Sequence, residues 1–66
     1  MHVTVNGEAH EIPEALTVRG LVEHLALTGG PVAVEVNQDV VIRAEHTARV
    51  LTEGDVIEIV HFVGGG

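Results

Sequence analysis

Cysteine, lysine, serine, tyrosine and tryptophan are all missing from this 66-residue chain, and phenylalanine occurs once, at Phe62. Without cysteine there is neither a disulfide staple nor a thiolate metal site, which fits a reducing compartment, so a cytoplasmic location is expected. The loss of cysteine and serine together removes two of the commonest side-chain nucleophiles. Without lysine the chain offers no side-chain amine to an acylating copy of itself, so polymers linked through internal lysines are excluded. No run approaches the roughly 18 apolar residues of a membrane span. The opening Met1-His2-Val3-Thr4-Val5 lacks the basic and apolar regions of a secretory leader, so a soluble, unprocessed chain is expected.

Positive charge is scarce too. Ten acidic residues face three arginines, Arg19, Arg43 and Arg49, for a net charge of −7. That balance repels nucleic acid and anionic membrane, and neither is expected as a partner. The acidic surface either steers a basic partner or only keeps a small protein in solution. Five histidines, His2, His10, His24, His46 and His61, stand at no ligand or catalytic spacing. Pairing His2 with Glu11 is geometrically available across a hairpin, but surface strands often juxtapose such residues. No metal site, no intrinsically bound cofactor and no intrinsic catalysis are expected.

What the chain does contain is a tightly punctuated pattern for one domain spanning residues 1–66. A fold of this size buries only about 60% of the surface its unfolded chain exposes, so the core must be efficient. Val3 and Val5 alternate with polar neighbours up to Asn6-Gly7, a type I′ turn signal, and Glu8 to Ile12 returns as a second strand. This register sets Val5 against Glu8 and Val3 against His10, with Glu8 at the periphery and His10 partly covered. Thr17 is placed to cap a helix whose Val18, Leu21, Val22 and Leu25 form one apolar stripe, ended by Gly29-Gly30-Pro31. Gly20 costs that helix about 1 kcal/mol relative to alanine, and its small size would let the helix approach the sheet. Val32, Val34 and Val36 mark a third strand, the Asn37-Gln38-Asp39 turn leads to a short fourth over Val40 to Ile42, and Arg43 to Arg49 reads as an irregular connection with room for one helical turn. After Glu53-Gly54-Asp55 the last strand begins at Val56. The order hairpin, helix, strand, strand, connection, strand predicts an α+β, ubiquitin-like β-grasp fold: a mixed four- to five-stranded sheet on one helix, the last strand central and its C-terminal end free.

The chain ends on Gly64-Gly65-Gly66. Glycine threads slots that exclude side chains, and three residues at roughly 3.3–3.6 Å each extend a terminal carboxylate about 10 Å beyond the last strand. A carboxylate is a poor electrophile until activated, most simply by attack on the α-phosphate of ATP to form an acyl-adenylate, and an unhindered terminal glycine suits that step. No GxxxxGK[ST] loop is present to hold the nucleotide, so a partner must supply the ATP site. Within the last strand Ile57 and Ile59 share one face, and Val56, Glu58, Val60 and Phe62 the other. Glu58 marks the open face, which leaves Val60 and Phe62 as a candidate docking surface beside the tail. The alternative is that Phe62 folds over the sheet edge to complete the core. A bland reading also stands for the glycines, that they are the stub of a truncated longer chain.

The stretch from Glu53-Gly54-Asp55 through Val56-Ile57-Glu58-Ile59-Val60-His61-Phe62-Val63 to the three glycines resembles the C-terminus of the sulfur carrier proteins of thiamine biosynthesis. The likeness continues through Val3 to Gly7, Thr17-Val18 with Leu21, Val22 and Leu25, and Val32 to Asn37. It departs after Ile42: the family commonly has a Pro-Arg pair and then an aromatic residue, whereas here Ile42 precedes Arg43 and no aromatic follows. The resemblance implies a protein co-substrate rather than an enzyme. An E1-like adenylating enzyme would activate the Gly66 carboxylate with ATP, a cysteine desulfurase relay would convert it to a thiocarboxylate, and thiazole synthase would take the sulfur. Gly66 would be the modified residue and Gly64 and Gly65 the thread through the partner's channel. Alternatives are the small subunit of molybdopterin synthase, a carrier for tRNA or cysteine thiolation, and a ubiquitin-like protein modifier.

Overall fold

A computed structural model describes residues 1–62. Asn6 and Gly7 hold φ of 50° and 83°, the left-handed pair that a two-residue type I′ turn requires. They join β1 (His2–Val5) to β2 (Glu8–Glu11), in the expected register of Val5 opposite Glu8 and Val3 opposite His10. β3 (Val32–Val36) turns through Asn37 and Gln38, again at positive φ of 51° and 72°, into β4 (Asp39–Val41). That two-residue turn starts β4 one position earlier than the valine run suggested. One turn of 3₁₀ helix covers Arg43–Glu45, and β5 is Val56–His61.

The sheet order is β2-β1-β5-β3-β4, with β1 and β5 parallel and the other neighbours antiparallel. This is the expected mixed β-grasp sheet with five strands and the last strand at its centre. Val3, Val5, Val34, Val36, Ile57 and Ile59 are buried on one face beneath Val18, Leu21 and Val22 of α1 (Val18–His24). Truncating a fully buried leucine such as Leu21 to alanine would cost about 2–5 kcal/mol.

Thr17 caps α1 as expected, its Oγ1 accepting from Gly20 N–H at 3.0 Å. The C-terminal end differs from the expectation of Gly29-Gly30-Pro31. The helix stops at His24, and Ala26 adopts φ 59°. Leu27 N–H donates to Val22 O at 2.9 Å and Ala26 N–H to Glu23 O at 3.0 Å, the bond pair of a Schellman motif. Leu27 packs back against the core. An alanine in the left-handed position carries no sequence signal, which is why the later glycines drew the boundary. Gly20 also plays a different part from the expected one. A Cβ there would lie 2.7 Å from Leu16 Cδ1, so it makes room for the residue before the cap rather than for the sheet.

Candidate functional site at the end of the central strand

β5 is the structural support for whatever leaves its C-terminal end, and its neighbours hold it along both edges. The parallel ladder with β1 begins with Thr4 N–H to Asp55 O and Asn6 N–H to Ile57 O, both 2.9 Å. There β1 turns away, and the Asn6 side chain takes over. Its Nδ2 donates to Ile59 O at 3.1 Å and its Oδ1 accepts from Ile59 N–H at 2.8 Å, so a carboxamide stands in for the next peptide group. Asn37 does the same at the start of β5, its Oδ1 accepting from Val56 N–H at 2.9 Å while its own N–H donates to Val56 O at 2.7 Å. Sequence reading assigned both asparagines only to turns; that each also clamps the central strand depends on contacts far along the chain.

Asp55 completes the entry to β5. One carboxylate oxygen accepts from Thr52 N–H at 2.8 Å, the other from Asn37 Nδ2 at 2.9 Å and Thr52 Oγ1 at 3.1 Å. Burial opposes ionisation, but the hydrogen bonds from Thr52 and Asn37, with the charge of Arg49, outweigh it and hold the pKa below its ordinary value.

At the far end, Phe62 N–H donates to Pro31 O at 2.9 Å. A Cβ on Gly30 would sit 2.5 Å from Phe62 O, so only glycine lets this loop close on the strand end. Phe62 is 53% exposed and Val60 55%, which sets aside the alternative in which Phe62 folds over the edge to finish the core. Both flank the exit from β5. Their face of the sheet also exposes Val40 and Val56, and the register places Glu35 directly opposite Glu58, with Val40 on the other side of Glu35. An apolar field with two adjacent carboxylates results. The pairing of Glu35 with Glu58 was not apparent before the register was known. Gly64, Gly65 and Gly66 lie outside the described residues.

His2 is exposed, 3.8 Å from Glu11 and 3.7 Å from Glu53. His46 is buried with Nε2 3.0 Å from Val41 O. Among the described residues no three His, Asp or Glu side chains gather as a metal site, and no helix is long and apolar enough to cross a membrane.

Comparison with known proteins is consistent with this architecture. The model of the ThiS family matches residues 3–66. The crystal structure of a thiamine biosynthesis protein (ThiS) from Geobacter metallireducens superposes with a TM-score of 0.84 at 35% identity, covering all of both chains. A solution structure of a thiamine biosynthesis protein from the same organism gives 0.82 at 35% identity, covering all of this chain and 88% of the other. Two curated relatives named thiazole synthase align with the whole chain, at 46% identity in Magnetococcus marinus and 35% in Paramagnetospirillum magneticum. The chain spans 20% of the length of each.

Proposed function

Since the chain belongs to the ThiS family, we propose that it is the sulfur carrier of thiazole formation in thiamine biosynthesis, working as a protein co-substrate of partner enzymes. The observation that carries this reading is that the family match runs to residue 66 and so includes the three glycines. In the proposed cycle the Gly66 carboxylate attacks the α-phosphate of ATP on an E1-like adenylating enzyme and pyrophosphate leaves. The terminal sulfur of a persulfide on a cysteine desulfurase relay then displaces AMP from the acyl carbon. A relay thiol cleaves the resulting acyl disulfide, leaving the thiocarboxylate on Gly66 and a disulfide on the relay. Thiazole synthase accepts that sulfur. Gly64 and Gly65 thread the partner's channel, where an imposed near-attack geometry supplies much of the acceleration.

The body of the chain contributes support and docking. Anchoring β5 along both edges fixes where the tail starts, which lowers the ordering cost of inserting it. Val60 and Phe62 meet an apolar surface on the partner, and Glu35 with Glu58 calls for a basic side chain opposite them, since two carboxylates side by side repel until a cation joins them. The name thiazole synthase on two relatives favours this pathway over molybdopterin synthesis.

The test incubates the 66-residue chain with ATP, an adenylating enzyme and a sulfur source, then weighs the intact product. Replacement of one oxygen by sulfur, followed by loss of that sulfur to thiazole synthase, is the expected result. Gly66→Ala should lower loading, and removal of Gly65-Gly66 should abolish it, with the fold unchanged in both. Normal loading of the shortened chain would overturn the assignment, and recovery of the chain as conjugates on other proteins would replace it with a modifier.

A further inference from the structure

Two of the three arginines line a single concavity. It lies between the first turn of α1, the 3₁₀ segment and the loop before β3, has a volume of about 250 Å³, and includes Arg19, Arg43, His46, Thr47 and Gly30 in its walls with Val22 in its floor. None of the ten acidic residues lines it. In a chain of net charge −7, an unpaired cation would ordinarily be expected beside a carboxylate. Arg43 has no ion-pair partner among the described residues, and Arg19 meets Glu23 only through Nε, at 3.1 Å, which leaves both its terminal nitrogens available.

We propose that this concavity is a binding site for a small tetrahedral oxyanion of the phosphate class, held by the guanidinium groups of Arg19 and Arg43 with the Thr47 hydroxyl as a further donor. Planar guanidinium forks match phosphate oxygens in pairs, and charge-assisted hydrogen bonds of this kind are about twice as strong as neutral ones. Size argues for a small ligand, because the volume falls below the roughly 300–1,000 Å³ typical of organic-ligand pockets. The wall is fixed rather than adaptable: Gly30 lies against Phe62 O, where a Cβ would come within 2.5 Å. Behind that wall His61 Nε2 is buried without a hydrogen-bond partner among the described residues, 3.6 Å from the same Cβ position. The site therefore adjoins the root of the tail, and it stands whether or not the tail carries sulfur.

The test is an NMR titration of the 66-residue chain with sodium phosphate at constant ionic strength held by sodium chloride. Saturable shifts centred on Gly30, Arg43 and Thr47, with a Kd in the range of about 1–10 mM, are expected. Arg43→Gln should weaken binding about fivefold or more, while Arg49→Gln, which makes the same charge change at the arginine outside the concavity, should leave it within about twofold. A second arm uses AMP. Arginine-dependent binding tighter than phosphate identifies a phosphate carried on a nucleoside as the preferred source, and binding no tighter identifies the free ion; either keeps the oxyanion site. Linear shifts without saturation, or equal weakening by both arginine variants, would overturn it. Amide spectra of each variant establish that the fold is intact.

Discussion

Replacing Asp55 with alanine removes the acceptor of three hydrogen bonds at the point where β5 begins. Thr52 N–H and Asn37 Nδ2 lose as partner a carboxylate that is itself only 7% exposed. A hydrogen bond contributes about 1 kcal/mol net and about 1.5–3 kcal/mol when charged, so partial replacement by water leaves a loss of about 2–4 kcal/mol at pH 7. A 66-residue domain has on the order of 3–10 kcal/mol in total. Asp55→Asn keeps one acceptor but turns an N–H toward a donor, and should cost about half as much. The pH dependence is specific in sign. The folded-state pKa lies below the ordinary 3.8, so the folded form holds its proton less tightly than the unfolded chain does. The contribution is then complete above the unfolded value and disappears as pH falls through the folded one. Urea unfolding followed by circular dichroism at pH 7 and at steps below pH 4 measures both parts. A loss under about 0.5 kcal/mol at pH 7, or a gap between wild type and Asp55→Ala that widens on acidification, would refute the reasoning.

Ala26→Gly should stabilise the protein by about 0.5–1 kcal/mol, since glycine adopts φ near +60° without the Cβ penalty; thermal unfolding reports it as a raised Tm. Gly30→Ala should cost about 1–3 kcal/mol by forcing Phe62 away from the loop, whereas Gly29→Ala, with open space around its Cβ position, should be nearly neutral. Hydrogen exchange at Phe62 N–H distinguishes these two, rising in Gly30→Ala alone. Phe62→Ala should leave stability within about 0.5 kcal/mol because the side chain is half exposed, while Val60→Asp, in the central strand on the face of Glu35 and Glu58, should cost about 1 kcal/mol without unfolding the domain. Both should raise the KM for the carrier in the adenylation assay.

Much of this fold is legible from local chemistry. Asn6-Gly7 set the hairpin and its register, Thr17 the helix start, and the alternating valines the strand faces, because in each case the required φ or period belongs to the residue types themselves. The helix end at Ala26 was not legible, since tertiary packing of Leu27 holds an alanine in a conformation it does not prefer alone. The second hairpin turn at Asn37-Gln38 was legible as a turn, although the positive φ of Gln38 was not signalled by its residue type. At the site, the exposure of Val60 and Phe62 followed from the position of Glu58 in the alternation. The opposition of Glu35 and Glu58, the reach of Asn6 to Ile59 and the grouping of Arg19 with Arg43 each join residues distant in the chain, and no local period encodes them.

The anchoring of β5 also has a mechanical meaning. Force applied across the strands, parallel to their hydrogen bonds, opens the rungs one at a time, like a zip, at low force. Traction along β5 instead loads the rungs on both flanks together in shear, including those supplied by the two carboxamides. If a partner draws the glycines into a narrow channel, as proposed, it would pull along the central strand, and the domain would travel as one piece with its terminus.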